Sequence, residues 1–408
     1  MEEPDNTDEC DVIVVGGGPA GLTAATAAAK SGARTVVFER QNEIGYPIHT
    51  SGGSWVKDMR EFDVPEHLYH PIDRLIFIGP TTDRTLSCSD VGCVIDIRGL
   101  YQYLAERAIA AGATIKLRHR VDQPILDSGR VIGVTYRDNT GRQRRLHAPV
   151  TVDASGYSRT VSNRSGLSPE FHRYGFGAEY DLYAPHYPQD TSYLIVGNEL
   201  APRGYAWLFA RGNGRVRVGV GVIHPDTKAD ARGYLRRVME MPQLGAALRG
   251  ASSIEYHTGL FPSEPPAKQL SAPGLLIAGD SGMQGSTFVG EGIRFAMYAG
   301  RMAGEVAAAV KDSGSAAALS EYDRRWRQKF GRDLDISYFF NQRMATFSDE
   351  RWDNALKLFG AFSDDQIVRL LQCDFSPALF MGMARKVPSL LAKGGRSLIK
   401  NALDRSKA

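Results

Sequence analysis

The sequence predicts an α/β protein, α+β when all 408 residues are counted, on three observations. An apolar strand, a glycine turn, a helix and a second strand follow one another within residues 12–38. Much later, "PGLLIAGDSG" is again a buried strand running into glycines, and a long small-residue helix follows it. Between the two, residues 170–260 alternate apolar and polar positions, as strands with one buried face do.

In chain order, Val12–Val15 is the first strand, the Ala-rich helix runs from about Pro19 to Lys30, and Thr35–Phe38 is the second strand. That is a βαβ unit of Rossmann-like length. "DIRGLYQYLAERAIAAGATIKL" predicts a helix from about Arg98 to Ala111 and then a strand. Residues 119–150 predict a β-meander turning at "DNTGR", and "PVTVDASG" a buried strand ending at a glycine. "RGNGR" marks a hairpin inside 170–260, so an antiparallel sheet is expected there, inserted between halves of the first domain. "GEGIRFAMYAGRMAGEVAAAV" is a long helix, and from about Ser320 onward the pattern is helical and amphipathic.

Composition narrows the function classes. With 43% hydrophobic and 23% charged residues the chain is that of an ordinary globular protein. Its four cysteines show no metal-ligand spacing and no disulfide framework, which favours a reducing cytoplasm and no metal. "MEEPDNTDEC" has no basic or apolar leader, and no run is long enough to span a bilayer. The formal net charge of +3 is uneven: residues 381–408 carry +6 and the remainder −3. That excess is a tail and not a nucleic-acid surface. It reads either as a solvated helix end or as an anionic-membrane contact, since Leu390, Leu391, Leu398, Ile399 and Leu403 interleave with its cations.

Two motifs carry chemistry. Gly16-Gly17-Gly18-Pro19-Ala20-Gly21 is a GxGxxG turn opening a helix, and Glu39, followed by Arg40, ends the next strand. Gly16 suits the tight turn, Gly18 the approach to a pyrophosphate, Gly21 helix–strand packing, and Glu39 a ribose 2′-OH. The alternative is a glycine turn without a nucleotide. The second motif pairs Asp280, after its buried strand, with Gly290-Glu291-Gly292-Ile293 at a helix start. A carboxylate there suits a ribityl hydroxyl, and the helix-start N–H groups suit a flavin's pyrimidine edge, which makes FAD a better candidate than NAD.

The GxGxxG–Glu39 unit, "DIRGLYQYLAERA", "DASGYSR" and "AGDSG…GEGIRFAMYAGRMAGE" together resemble the FAD-binding fold of para-hydroxybenzoate hydroxylase. Within that group the chain is most similar to the geranylgeranyl reductase family, which saturates isoprenoid carbon–carbon double bonds with reduced FAD. "GEGIRFAMYAGRMAGE" is close to the family's GEGI-R-A-SG pattern. Pro202, Tyr205, Trp207 and Phe209 meet its PxxYxWxFP motif, with Ala210 in place of the last proline. "FSDDQIVRLLQCDFSPALFMGMARKVPSLL" is similar to the C-terminal helices of archaeal members. The resemblance implies that Tyr205, Trp207 and Phe209 line a substrate cavity beside the flavin, whereas an aromatic stripe on a strand is otherwise ordinary core. It also implies that Arg98 lies near the FAD phosphates, and that Asp153 and Gly156 form a turn passing close to the cofactor. In "EIGYPIHTSGG", Thr50 stands at the family's cysteine position, beside His49, a candidate proton donor.

These readings divide the chain into an FAD-binding domain (9–60, 97–165 and 265–320), a substrate-binding antiparallel sheet (61–96 and 166–264) and a helical region (321–408). The expected activity is FAD-dependent saturation of an isoprenoid chain. The alternative is an FAD-dependent monooxygenase, a hydroxylase of an apolar or aromatic substrate. "YAWLFA" lacks the WxWxIP-like pattern of a halogenase. A lipid carrier retaining FAD structurally is a third reading. With no second dinucleotide fingerprint, the electron donor is expected to be NAD(P)H or a ferredoxin-like partner.

Overall fold

The computed structural model describes residues 9–167, 171–311 and 315–387. The basic and apolar residues beyond 387 that suggested a membrane contact lie outside the described residues; Arg385 and Lys386 end the helix Pro377–Lys386.

The first domain is built on a six-stranded sheet. Its five parallel strands are, in spatial order, Leu275–Ile277, Val150–Asp153, Val12–Val15, Thr35–Glu39 and Thr114–Leu117. Ser271–Ala272 adds an antiparallel edge. Val12–Val15 is buried on both faces, which is why it reads as a continuous apolar run. Val12 and Val14 face the helices, while Ile13 and Val15 face the meander formed by Arg120–Asp127, Arg130–Arg137 and Gln143–His147. The helices Pro19–Lys30 and Ile293–Ala309 lie against each other so closely that a Cβ on Gly300 would sit 2.1 Å from the Ala20 carbonyl oxygen. That contact explains the small residues in both.

The second sheet has eight strands, ordered Ser252–Pro262, Tyr174–Tyr183, Arg215–His224, Gly204–Gly212, Thr191–Ile195, Tyr69–Ile78, Asp83–Ile95 and Gly53–Trp55. The expectation of a purely antiparallel sheet is corrected at one seam: Thr191–Ile195 pairs parallel with Tyr69–Ile78. The chain crosses from one to the other by way of the whole first-domain segment 97–165, a long connection of the kind parallel neighbours need. Gly53–Trp55, expected in the first domain, pairs with this sheet.

The last helices do not form a core of their own. Tyr322, Leu334 and Phe375 are buried in the first domain's core, and Leu356, Ile367 and Leu379 in that of the second sheet. They close the space between the two sheets at one side, and the cavity described below is bounded by them.

Candidate active site

The glycine turn at 16–21 is shaped by contacts that exclude side chains. Gly16 has φ +111°, and a Cβ on Gly21 would fall 1.9 Å from the Gly16 carbonyl oxygen. Gly18 differs: a Cβ there would meet no protein atom within 4 Å. It faces open space as the N-cap of helix Pro19–Lys30, with no side chain capping the first-turn N–H groups. Those groups and the helix dipole are left for an anion. The Glu39 carboxylate accepts from the Gly17 N–H at 2.7 Å and the Gln41 N–H at 2.8 Å. This fixes it at the strand end with lone pairs to spare, while Arg40 beside it is exposed.

Gly18, Pro19 and Ala20 line a cavity of about 400 Å³ together with Gly156, Asp280, Gly290, Glu291, Gly292 and Ile293. Gly292 is the N-cap of Ile293–Ala309 and again has no side-chain cap. Two uncapped helix starts, a cradle that a Cβ would fill at Gly18, and a carboxylate at Asp280 fit a dinucleotide with a flavin at one end.

Three expected cofactor residues are engaged elsewhere. Asp153 turns away from the cavity: its Oδ1 accepts from Ser155, and its Oδ2 from the N–H groups of Val161 and Ser162. It builds the turn that brings Ala154 and Gly156 to the cavity instead of touching a ligand there. Arg98 is half exposed and ion-paired with Glu43, outside the cavity lining. Glu291 lines the cavity, but its carboxylate is buried and taken up by protein neighbours, 2.8 Å from Arg294 Nε and accepting from Trp55 Nε1 at 3.1 Å and Ser54 Oγ at 3.3 Å. Burial pushes its pKa up, and the Arg294 charge opposes that shift.

Asp280 has no side-chain donor among the described residues, and burial lifts its carboxyl from 3.8 to about 6. The folded state therefore holds this proton more tightly than the unfolded chain. In the FAD-free protein the contribution to stability is present below about pH 4 and is lost as pH rises through about 6. Asp280→Asn is expected to remove this slope and to stabilise the FAD-free protein at pH 7 by up to about 3 kcal/mol, at 1.4 kcal/mol per unit. Thermal melts of both proteins at pH 5 and pH 7 check it; equal slopes would refute it.

The aromatic stripe divides. Tyr205 and Trp207 line the large cavity, with the Tyr205 hydroxyl donating to the Val289 carbonyl at 2.6 Å. Phe209 does not line it. It packs over Gly53 and borders a smaller cleft behind, 6.2 Å from the Trp207 ring. His49 and Thr50 both reach the large cavity. His49 is exposed, and its Nδ1–H donates to the Thr258 carbonyl at 3.0 Å.

Sequence reasoning missed Glu179 and His257. The strand registers set Trp207, Gly219, Glu179 and His257 in one row across four strands. A Cβ on Gly219 would lie 2.3 Å from the Trp207 ring. Its absence lets the indole lie across the strand and donate from Nε1 to Glu179 Oε2 at 2.8 Å. Glu179 Oε1 takes the His257 Nε2–H. The signal was the glycine alternation in "RVRVGVGVIH" and "YGFGAEY" opposite the aromatics, legible only once the register is known.

Residues 11–169 match the family of FAD dependent oxidoreductases, and residues 175–259 match the geranylgeranyl reductase catalytic domain. Digeranylgeranylglycerophospholipid reductase 2 of Methanopyrus kandleri is 30% identical, over 96% of this chain and all of that one. The protein of the same description from Methanothermobacter thermautotrophicus is 32% identical, over 85% of this chain and 91% of its own length. A geranylgeranyl bacteriochlorophyll reductase-like protein of Thermoplasma acidophilum shares the fold, with a TM-score of 0.84 at 23% identity, covering 95% of this chain and 98% of that one. The second match begins within the strand that carries Glu179 and ends within the one that carries His257, so it takes in the whole Trp207 row. With the paired glycine cradles ahead of it, this places the chain in the geranylgeranyl reductase family of FAD-dependent oxidoreductases.

Proposed function

We propose that the chain saturates carbon–carbon double bonds in the isoprenoid tails of a glycerophospholipid, the class named for its relatives. The observation that carries this reading is the continuity of one cavity from the Gly18–Asp280 cradle to the Tyr205–Trp207 wall, and on to Phe77, Leu194, Trp352, Leu356 and Phe359. An isoprenoid tail offers no hydrogen-bond handle, so a site for it works through apolar contact and shape. Reduced FAD, bound along the glycine cradle, supplies the hydride. The chain's own residues hold a double bond in place and exclude water. The alkene's second carbon takes a proton, and we assign its delivery to His49 as the imidazolium: Nδ1–H is held by the Thr258 carbonyl, the second proton, on Nε2, is the one given up, and the ring is left neutral, with Thr50 beside it. Gly16, Gly18, Gly21, Glu39 and Asp280 are the residues proposed to hold FAD. Flavin reduction falls to a transient donor, NAD(P)H or a ferredoxin-like protein.

No helix among the described residues is long and apolar enough to cross a membrane. The basic segment after residue 385 is our candidate for contact with an anionic bilayer in which the substrate resides.

Anaerobic incubation of the dithionite-reduced holoprotein with a geranylgeranyl lipid tests the activity. Mass spectrometry should find two hydrogens gained per saturated bond. Product that forms only with oxygen and carries an added oxygen atom would instead make the protein a hydroxylase. Trp207→Ala should keep FAD and lower kcat/KM for long-chain substrates more than for short ones. Loss of one large apolar wall residue corresponds to about 2–3 kcal/mol, or roughly 30- to 150-fold. Because Trp207 also satisfies Glu179, a Trp207→Phe control separates the hydrogen bond from the wall. Equal losses at every chain length would return Trp207 to the core.

A further inference from the structure

Arg203 is the single lysine or arginine among the described residues that line the large cavity. The acidic groups of that cavity are accounted for. Glu179 is tied to Trp207 and His257, Glu291 to Arg294 and Trp55, and Asp280 belongs to the flavin cradle. Elsewhere in the molecule the buried arginines have carboxylate partners: Arg173 has Asp226, Arg217 has Asp181 and Arg294 has Glu291. Arg203 has none among the described residues. Its one hydrogen bond runs from Nη1 to the Ala345 carbonyl, at 2.6 Å, at the end of helix Arg332–Met344. A guanidinium has five N–H donors in a planar fork, so most of this one is uncommitted.

Its position is as informative as its charge. Arg203 stands two residues before Tyr205 and four before Trp207, a strand distance of at most roughly 13 Å at about 3.3 Å per residue. Its hydrogen bond sets it against Ala345, which lines the cavity together with Met344 and Trp352, as Gly18 and Asp280 of the glycine cradle also do. Asn341, one helical turn before Ala345, lines the same cavity, and its buried Oδ1 has no donor. Arg203 also holds φ +60°, a backbone region costly for an arginine, where glycine or asparagine would be at ease.

Resting on the isoprenoid-lipid reading above, we infer that Arg203 binds the anionic phosphate of the lipid substrate and sets which double bond lies against Trp207. A phosphate takes two N–H donors of a guanidinium side by side, which a lysine cannot reproduce. The tail then runs from Arg203 past Tyr205 toward the cradle. Arg203 lies just ahead of the aromatic wall, so a fixed head group makes the reduced bond a matter of distance along the chain. A phosphate monoester on the tail and a glycerophospholipid share this chemistry.

The test measures equilibrium binding to the oxidised holoprotein by quenching of tryptophan fluorescence, so that turnover is not needed. The probes are geranylgeraniol, geranylgeranyl phosphate and a digeranylgeranyl glycerophospholipid. Wild type should bind both phosphates roughly tenfold to a hundredfold more tightly than the alcohol, the range of a charge-assisted pair. Arg203→Asn and Arg203→Gly suit the positive φ and should remain folded. Both should bind the alcohol as wild type does and lose the preference for phosphate, while Arg203→Lys should recover only part of it. A preference confined to one phosphate ligand identifies which of the two the site takes. Retention of the full preference in Arg203→Asn, or its absence in wild type, overturns the proposal and leaves the isoprenoid reading standing. Failure of wild type to bind any of the three overturns both.

Discussion

Gly18→Val is expected to give a folded, colourless protein. The backbone at Gly18, φ −87° and ψ −177°, is extended, a conformation that a β-branched residue adopts readily. A Cβ there meets nothing in the protein within 4 Å. The substitution therefore has no folding penalty that the structure can identify, and its methyl groups project into the space in front of the helix start. A pyrophosphate held by first-turn N–H groups needs that space. Losing even two such charge-assisted hydrogen bonds, at about 1.5–3 kcal/mol each, lowers affinity by at least two orders of magnitude. Visible flavin absorbance after purification, together with far-ultraviolet circular dichroism, checks both halves of the expectation. Gly21→Val is the contrast, because its Cβ collides with the Gly16 carbonyl and should disrupt the βαβ unit itself. A Gly18→Val protein with full flavin content would refute the assignment of this turn to the cofactor.

The reach of sequence reasoning is clearest from this turn. Gly16, Gly18, Gly21 and Glu39 lie within one βαβ unit, where helix and strand periodicity fix local geometry, and the ends of the first helix were legible to the residue. Asp280 and Gly292 were legible for the same reason, each adjoining its own strand or helix end. What was not legible depends on register between distant strands. Trp207 and Glu179 are separated by 28 residues, and nothing local says that Gly219 stands between them. Phe209 alternates correctly with Trp207 yet reaches a different cleft, because the short strand Gly53–Trp55 folds under it. Asp153 and Glu291 carry the right chemistry at the right distance along the chain, but the carboxylates are consumed by neighbours that only the fold supplies. The seam between Thr191–Ile195 and Tyr69–Ile78 belongs to the same class.

The largest stability effect is expected at Asp181. Its fully buried carboxylate faces three guanidinium groups: Arg211 on Oδ2, Arg215 at 2.7 Å on Oδ1, and Arg217 at 3.4 Å on Oδ2. Arg211 and Arg215 keep some contact with solvent, but Arg217 has none. Burial holds its basicity below the ordinary arginine value, and the neighbouring Arg211 charge adds to that shift. Its Nη1 donates to the Ser51 carbonyl at 2.7 Å, which ties the His49–Gly52 loop, and with it the edge of the cavity, to the second sheet. Asp181→Ala removes the carboxylate ion-paired with Arg217 and leaves only the Glu179 and Asp96 charges to offset a cation with no route to water, a change that costs up to about 3–5 kcal/mol in comparable buried pairs. The expected readout is a marked fall in thermal midpoint together with weakened flavin retention, because the Ser51 anchor loosens with its arginine. Removing both charges separates this from simple loss of packing. Asp181→Leu combined with Arg217→Met replaces a buried ion pair by apolar groups of similar size, an exchange that is often neutral or stabilising. The double variant should therefore recover most of the thermal midpoint while still holding the Ser51 loop less firmly. A double variant as unstable as Asp181→Ala would show that the hydrogen bonds from Arg217 to the Ser51 and Ile95 carbonyls, and not charge compensation, are what this cluster contributes to the sheet.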